Sequence, residues 1–216
     1  MAIALVAMMA PEPAEESQRG EIMPIHTQMT DVDGAWLLAG DLPSLGDANA
    51  EVVLVEFGDY QCVACNRFFH QTEGQIIRDY VDTGKVRFIF SDYVIIGPDS
   101  AGAAHAAHCA RDQDMFWEYH DILYTNWAGE NTGWASPENL AGFAVEIGLD
   151  TGDWLVCMNE AQHVATIQSN NEKAEALRLP GTPSFFVVGP EGDVTSILGP
   201  QSYNVFAEVI ERELAR

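Results

Sequence analysis

The stretch Val52-Val53-Leu54-Val55-Glu56-Phe57-Gly58-Asp59-Tyr60-Gln61-Cys62-Val63-Ala64-Cys65 decides the fold. Residues 52–57 form a nearly unbroken apolar run, the pattern of a strand buried on both faces of a parallel or mixed sheet. A C-x-x-C follows at the point where a helix opens. At three-residue helical spacing the two cysteines share a face, with Cβ atoms roughly 5–6 Å apart. Small adjustments bring that within disulfide reach. The free N–H groups and positive dipole end at a helix start stabilise a thiolate. A low-pKa thiolate is what thiol–disulfide exchange needs, as nucleophile and as leaving group. The plainer readings are two buried thiols or half of a zinc site. Thr182-Pro183, an X-Pro step ahead of another apolar run, weighs toward the redox reading.

Outward from this junction the chain reads as β-α-β, a helical block, then β-β-α. A helix is expected over 62–80, with Phe68, Phe69, Ile76, Ile77 and Tyr80 on its apolar face and a kink at Gly74; a strand follows at 86–90. Between 98 and 168 the pattern is wholly helical. Asp99 or Ser100 is expected to cap an Ala-rich helix through Cys109, and Asp114 a second helix bearing Phe116, His120, Leu123 and Trp127. Ser136-Pro137-Glu138 combines a capping serine with proline at the first helical position. Gly148 stops that helix. Asp150 or Asp153 opens another, with Trp154, Cys157, Ala161 and Val164 on one side. Runs at 184–188 and 194–198 flank a Gly189-Pro190-Glu191-Gly192 turn, a hairpin pattern, and a last helix covers 203–214. The class is α/β, one sheet interrupted by helices. The expected division is a tail and lead-in at 1–47, the sheet unit at 48–97 and 169–216, and an inserted helical subdomain at 98–168.

The 216 residues carry 33 acidic and 10 basic side chains, a formal charge of −23, with Lys85 and Lys173 the only lysines. Such a surface repels nucleic acid and anionic lipid, so neither is an expected partner. Acid-rich, lysine-poor composition also suits a salty setting, where self-repulsion is screened; plain solubility explains it equally well. Four cysteines, one close pair and one distant pair, suggest two disulfides and an oxidising compartment. Residues 1–10 are apolar but too short to span a bilayer and lack a basic n-region. With the Pro/Glu-rich stretch 11–18 they read as the remnant of a signal or membrane anchor followed by a linker.

Leu45-Gly46-Asp47-Ala48-Asn49-Ala50 with the 55–65 segment closely resembles the start of DsbA-like thiol oxidoreductases. Cys109-Ala110-Arg111-Asp112-Gln113 and Phe116-Trp117-Glu118-Tyr119-His120 resemble the start of that family's helical insertion. Gly181-Thr182-Pro183-Ser184-Phe185-Phe186-Val187-Val188 is similar to its cis-proline loop. The resemblance spans about 45–216. It implies a thioredoxin fold with an inserted helical subdomain and disulfide exchange outside the cytoplasm, in the periplasm or an equivalent compartment. It also implies reduced substrate proteins as partners and reoxidation by a membrane quinone-linked protein. A monomer is expected, since an isomerase-type dimerisation domain has no room here.

Within that frame Cys62, at the exposed helix start, is the expected attacking and attacked sulfur, and Cys65 the buried resolving thiol. Val63-Ala64 lacks the histidine of the most oxidising members, so no side chain there stabilises the thiolate. Thr182-Pro183 is expected to be cis, with the Thr182 backbone pairing an extended substrate segment. Glu56, on the buried strand, is expected to have a raised pKa and to exchange the Cys65 proton; a solvated edge position is the alternative. Asp59 and Tyr60 are expected on the rim, Tyr60 against substrate and Asp59 as a turn residue. Cys109 and Cys157 are read as a structural disulfide, the alternatives being free thiols or an electron relay.

His105, His108 and Cys109 have ligand-like spacing, but alanine-rich helices often carry surface histidines and no second ligand pair is evident, so no metal is expected. Trp117, Trp127, Trp134 and Trp154 read as insertion core or groove lining. No phosphate loop, Ser-His-Asp set or basic patch appears, and no cofactor is expected. The residues leave two competitors open: a reductase or isomerase of the same fold, and a non-catalytic chaperone-like peptide-binding module.

Overall fold

A computed structural model describes residues 26–216. The expectations placed on 1–18 lie outside the described residues. Six strands form one sheet: β1 (His26–Met29), β2 (Ser44–Leu45), β3 (Val52–Gly58), β4 (Val86–Asp92), β5 (Ser184–Val188) and β6 (Val194–Leu198), in the order β1-β6-β5-β3-β4-β2. Only β3 and β4 are parallel; the other neighbours are antiparallel. The lead-in expected over 1–47 therefore belongs to the sheet from His26 onward. Short, polar β1 and two-residue β2 carry almost no alternation, and only their partners β6 and β4 make them strands.

β3 is central, which accounts for its apolar run. Val52 and Leu54 face a layer with Phe68, Ile76, Tyr80, Phe206, Val209 and Ile210. Val55 and Phe57 face the opposite layer with Leu37, Leu42 and Ala174. The first layer comes from the helical run 63–81 and from α9 (Tyr203–Leu214); the second from α1 (Gly34–Leu37) and α8 (Val164–Ala176). The run 63–81 is not a uniform helix. It passes through α2 (Val63–Phe68), a π-helical turn Phe69–Glu73, α3 (Gly74–Ile76) and a second π turn Ile77–Val81. Such turns insert a residue and re-aim the side chains beyond them.

The insertion contains α4 (Pro98–Arg111), α5 (Phe116–Thr125), α6 (Pro137–Glu146) and α7 (Thr151–Glu160). Ala103, Ala104, Ala106, Ala107 and Ala110 of α4 are buried, small enough for neighbouring helices to approach closely. Ser136 and Asp150 cap α6 and α7 as expected, accepting from Asn139 N–H and from Gly152 and Asp153 N–H. Two expected caps differ. α4 starts one residue before Asp99, with Gly97 as cap and Pro98 first. Asp114 adopts a left-handed φ of 58° and Met115 precedes α5. Ala161 ends α7 at a left-handed φ of 55°, so Val164 opens α8 instead of extending the Trp154–Cys157 face. The boundary expected at 168 falls inside α8, whose Ala174 packs on the sheet.

His105 and His108 are buried, not at the surface. The His108 ring pairs with Asp92 at 2.8 Å, and Asn170 donates to the same carboxylate oxygen at 2.9 Å. Burial alone would raise the Asp92 pKa; the facing His108 outweighs it and holds the carboxyl below its ordinary value. This contact pins the end of β4 to α4 and α8. Cys109 of α4 and Cys157 of α7 form a disulfide with Cα atoms 5.8 Å apart. Closing its loop removes unfolded-chain entropy worth about 4 kcal/mol in the loop-length relation, an upper figure. A Cys109→Ser/Cys157→Ser double variant is expected to lose roughly 2–4 kcal/mol in urea unfolding while keeping exchange at Cys62–Cys65. Wild-type stability in the double variant would deny the bond this role.

Candidate active site

The sheet register places the site. Antiparallel pairing sets Phe57 of β3 opposite Ser184 of β5, so the chain leaving β3 and the chain entering β5 emerge side by side. The first leads to Cys62, the second comes from Thr182-Pro183, which is a cis peptide. The Cys62 S–H donates to the Thr182 carbonyl at 3.3 Å, and the Cys65 N–H donates to the Cys62 sulfur at 3.4 Å. Cys62 thus occupies the N-cap of α2, its sulfur taking the place of a capping oxygen.

Cys62 is 4% exposed and Cys65 fully buried, both as free thiols. The expectation of an openly exposed Cys62 is corrected: the Thr182 loop lies over it. Its thiol is lowered to about 6, chiefly by the hydrogen bond with the Cys65 thiol, against burial, with help from Thr182 and from the Cys65 and Ala64 backbone. Cys65 is pushed well up, first by burial, then by the Cys62 hydrogen bond and the Glu56 charge. The outer sulfur is therefore the readier to ionise and the inner one the thiol that keeps its proton.

Glu56 sits on central β3, 1% exposed, between Phe90 of β4 and Phe185 of β5. It shares a sheet face with Val52 and Leu54, the face covered by the Cys65 helix. Neither carboxylate oxygen has a hydrogen-bond partner among the described residues. Burial, then Glu73, then Cys62 raise its pKa well above the ordinary value. A carboxyl kept neutral in the layer that holds a buried thiol has a proton to give when that sulfur becomes a thiolate.

Asp59 and Tyr60 are not on the rim; each is 1% exposed. Asp59 accepts from Gln61, Ile95 and Ile96 N–H, tying the active-site loop to the segment after β4. Tyr60 stacks on Phe90, and its hydroxyl meets the His120 ring at 3.2 Å. A side chain so enclosed supports the loop and offers no surface to substrate. Asp59 and Tyr60 look locally like turn residues; packing against the segment after β4 and against α5 buries them. The surface beside Cys62 is instead Val63, 47% exposed.

Sequence reading missed Glu130, whose carboxylate accepts the Val63 N–H at 3.0 Å. It takes one of the free donors of the helix start, at the residue next in the chain to Cys62. It also missed Trp127 and Asn131 as clamps: Trp127 Nε1–H donates to the Gln61 carbonyl, and Asn131 N–H to the Gln61 side chain. These loop residues lie 65 or more positions beyond the loop they hold, and carry no local signal. Trp134 and Trp154 are buried in the insertion core, while Trp117 bridges it to the sheet layer.

Thiolate absorbance is expected to titrate near pH 6 in the reduced protein, and Cys62 to alkylate faster than Cys65. Glu130→Gln is expected to lower that midpoint by roughly a few tenths of a unit, less in high salt; a rise would show that the carboxylate does not oppose the thiolate. The depressed Cys62 pKa also fixes a sign. Its stabilisation of the reduced fold is complete above the unfolded value of about 8.5 and lost as pH falls through about 6. The stability gap between reduced wild type and Cys62→Ser is therefore expected to widen from pH 6 to 8.5, and denaturant midpoints across that window measure it.

A family model for thioredoxin matches residues 39–212. Disulfide bond formation protein D of Bacillus subtilis is 27% identical over 175 residues, 80% of this chain and 77% of that protein. A probable disulfide bond formation protein D of Bacillus anthracis is 28% identical, covering 80% and 78%. Among solved structures, oxidised BdbD from Bacillus subtilis superposes with a TM-score of 0.73 at 26% identity, over 81% of this chain and 94% of that one. Wolbachia pipientis α-DsbA1, at 20% identity, shares the fold with a TM-score of 0.73 over 84% and 96%. With its cysteine pair, buried acid and covering loop arranged as described, the chain belongs to the thioredoxin family, as a DsbA-like protein-disulfide oxidoreductase.

Proposed function

We propose that the protein is an oxidase, passing a Cys62–Cys65 disulfide to reduced substrate proteins outside the cytoplasm. The observation that carries this reading is the inequality of the two sulfurs: a capping Cys62 lowered to about 6 and a buried Cys65 pushed up. A substrate thiolate attacks Cys62 Sγ and the Cys62–Cys65 bond breaks. The electron pair goes to Cys65 Sγ, which takes a proton from neutral Glu56. A second substrate thiolate then attacks the substrate sulfur of the mixed disulfide. The substrate disulfide forms and Cys62 leaves as the stabilised thiolate. A good leaving group at the outer sulfur drives the exchange toward oxidised substrate.

In this reading the substrate lies extended beside Thr182, pairing with backbone and tolerating many sequences. A membrane quinone-linked partner takes two electrons from the reduced pair and Glu56 recovers a proton as Cys65 is deprotonated. The chain works as a monomer. Among the described residues no helix is long and apolar enough to cross a membrane.

Equilibration against glutathione tests the direction. A Cys62 pKa near 6 lies between the thioredoxin and DsbA values, so a potential between about −270 and −120 mV is expected. A more reducing value would favour a reductase. Cys65→Ser is expected to trap a mixed disulfide at Cys62, and Cys62→Ser to abolish exchange. Peptide binding with no exchange by the wild type would favour the chaperone-like module instead.

A further inference from the structure

Glu73, His120 and Asp121 converge beside the active-site helix, Glu73 from the π turn Phe69–Glu73 and the other two from α5. One ligand-capable atom of each lies within 4.8 Å of the others. Glu73 and His120 are buried and Asp121 is exposed, so the group opens to solvent on one side. His120 Nε2 and Glu73 Oε2 have no hydrogen-bond partner among the described residues. Buried polar atoms are seldom left unpaired, and here two of them belong to residues whose ligand-capable atoms lie within 4.8 Å of one another.

We propose that Glu73, His120 and Asp121 bind one divalent cation, with zinc the best match to the donors. Two atoms held about 2.0–2.1 Å from a tetrahedral zinc stand roughly 3.3–3.4 Å apart. His120 Nε2 and Glu73 Oε1 are 3.6 Å apart, nearly that spacing. One imidazole and two carboxylates make a three-ligand set that leaves the fourth position to water on the open side. The other imidazole nitrogen is already engaged: Nδ1 meets the Tyr60 hydroxyl at 3.2 Å. With Nδ1–H donating to that oxygen, Nε2 presents its lone pair to the metal, and metal-bound histidines characteristically make this second bond. The rings of Tyr60, Phe90, Trp117 and Tyr124, 5.0 to 5.5 Å from the imidazole, hold its plane. The π turn has a consequence here, since it sets the direction in which Glu73 leaves its helix.

The test uses the full chain fully oxidised, with both cysteine pairs closed so that no thiolate competes for metal. Zinc is titrated calorimetrically in about 0.5 M sodium chloride, which screens loose association with the acidic surface. One zinc per chain is expected, and cobalt in its place should give visible ligand-field bands without a sulfur charge-transfer band. Asp121→Asn, a surface change, and His120→Gln should each weaken uptake roughly tenfold or more, with circular dichroism melting to confirm folding. Failure of the wild-type protein to take up stoichiometric zinc, or wild-type affinity in a folded variant, overturns the assignment.

Discussion

One sulfur held at the start of a helix is the constraint around which this protein is arranged. Cys62 replaces the usual capping oxygen of α2 and accepts the Cys65 N–H. That geometry makes the thiolate the comfortable form of the outer cysteine and leaves the inner one in an apolar layer where charge is costly. The strand β3 exists to deliver the sulfur there. It is buried on both faces, hydrogen-bonded on both edges, and ends four residues before Cys62.

The second contribution comes from the opposite end of the sequence. β5 pairs with β3, so the loop before β5 must pass over the cysteines. Its Thr182 carbonyl accepts the Cys62 S–H and covers the sulfur. The helical insertion then closes the remaining side: Tyr60, Cys62 and Cys65 share a core with α4, α5 and the disulfide. The insertion is thus continuous with the active site, and Asp92–His108 fastens it to the sheet.

Beneath the cysteines lies an unusual density of buried polar groups for an apolar core. Glu56, Glu73, Tyr60 and His120 are all enclosed. Only part of their hydrogen-bonding capacity is met by the described residues. Such groups persist in a core where they carry protons, charge or a ligand, because apolar residues of similar volume would pack at lower cost. The proton exchange proposed for Glu56 and the cation proposed for Glu73, His120 and Asp121 both draw on that pressure.

The sequence by itself determined the long elements and the chemistry. A nearly unbroken apolar run, a C-x-x-C at a strand-to-helix step, a hairpin pattern and an amphipathic last helix are local signals, and 52–57, 184–188, 194–198 and 203–214 all stand where their periodicity placed them. Glu56 was legible as a buried acid because a charge inside such a run has no solvent to face. Tertiary structure alone decided the rest. β1 and β2 are strands only because β6 and β4 offer them hydrogen bonds. Asp59 and Tyr60 look like surface turn residues until the segment after β4 and helix α5 cover them. Glu130, Trp127 and the Glu73–His120–Asp121 group act across sequence separations of 47 to 67. Periodicity reports which face of an element is buried; it holds no information about which distant element buries it.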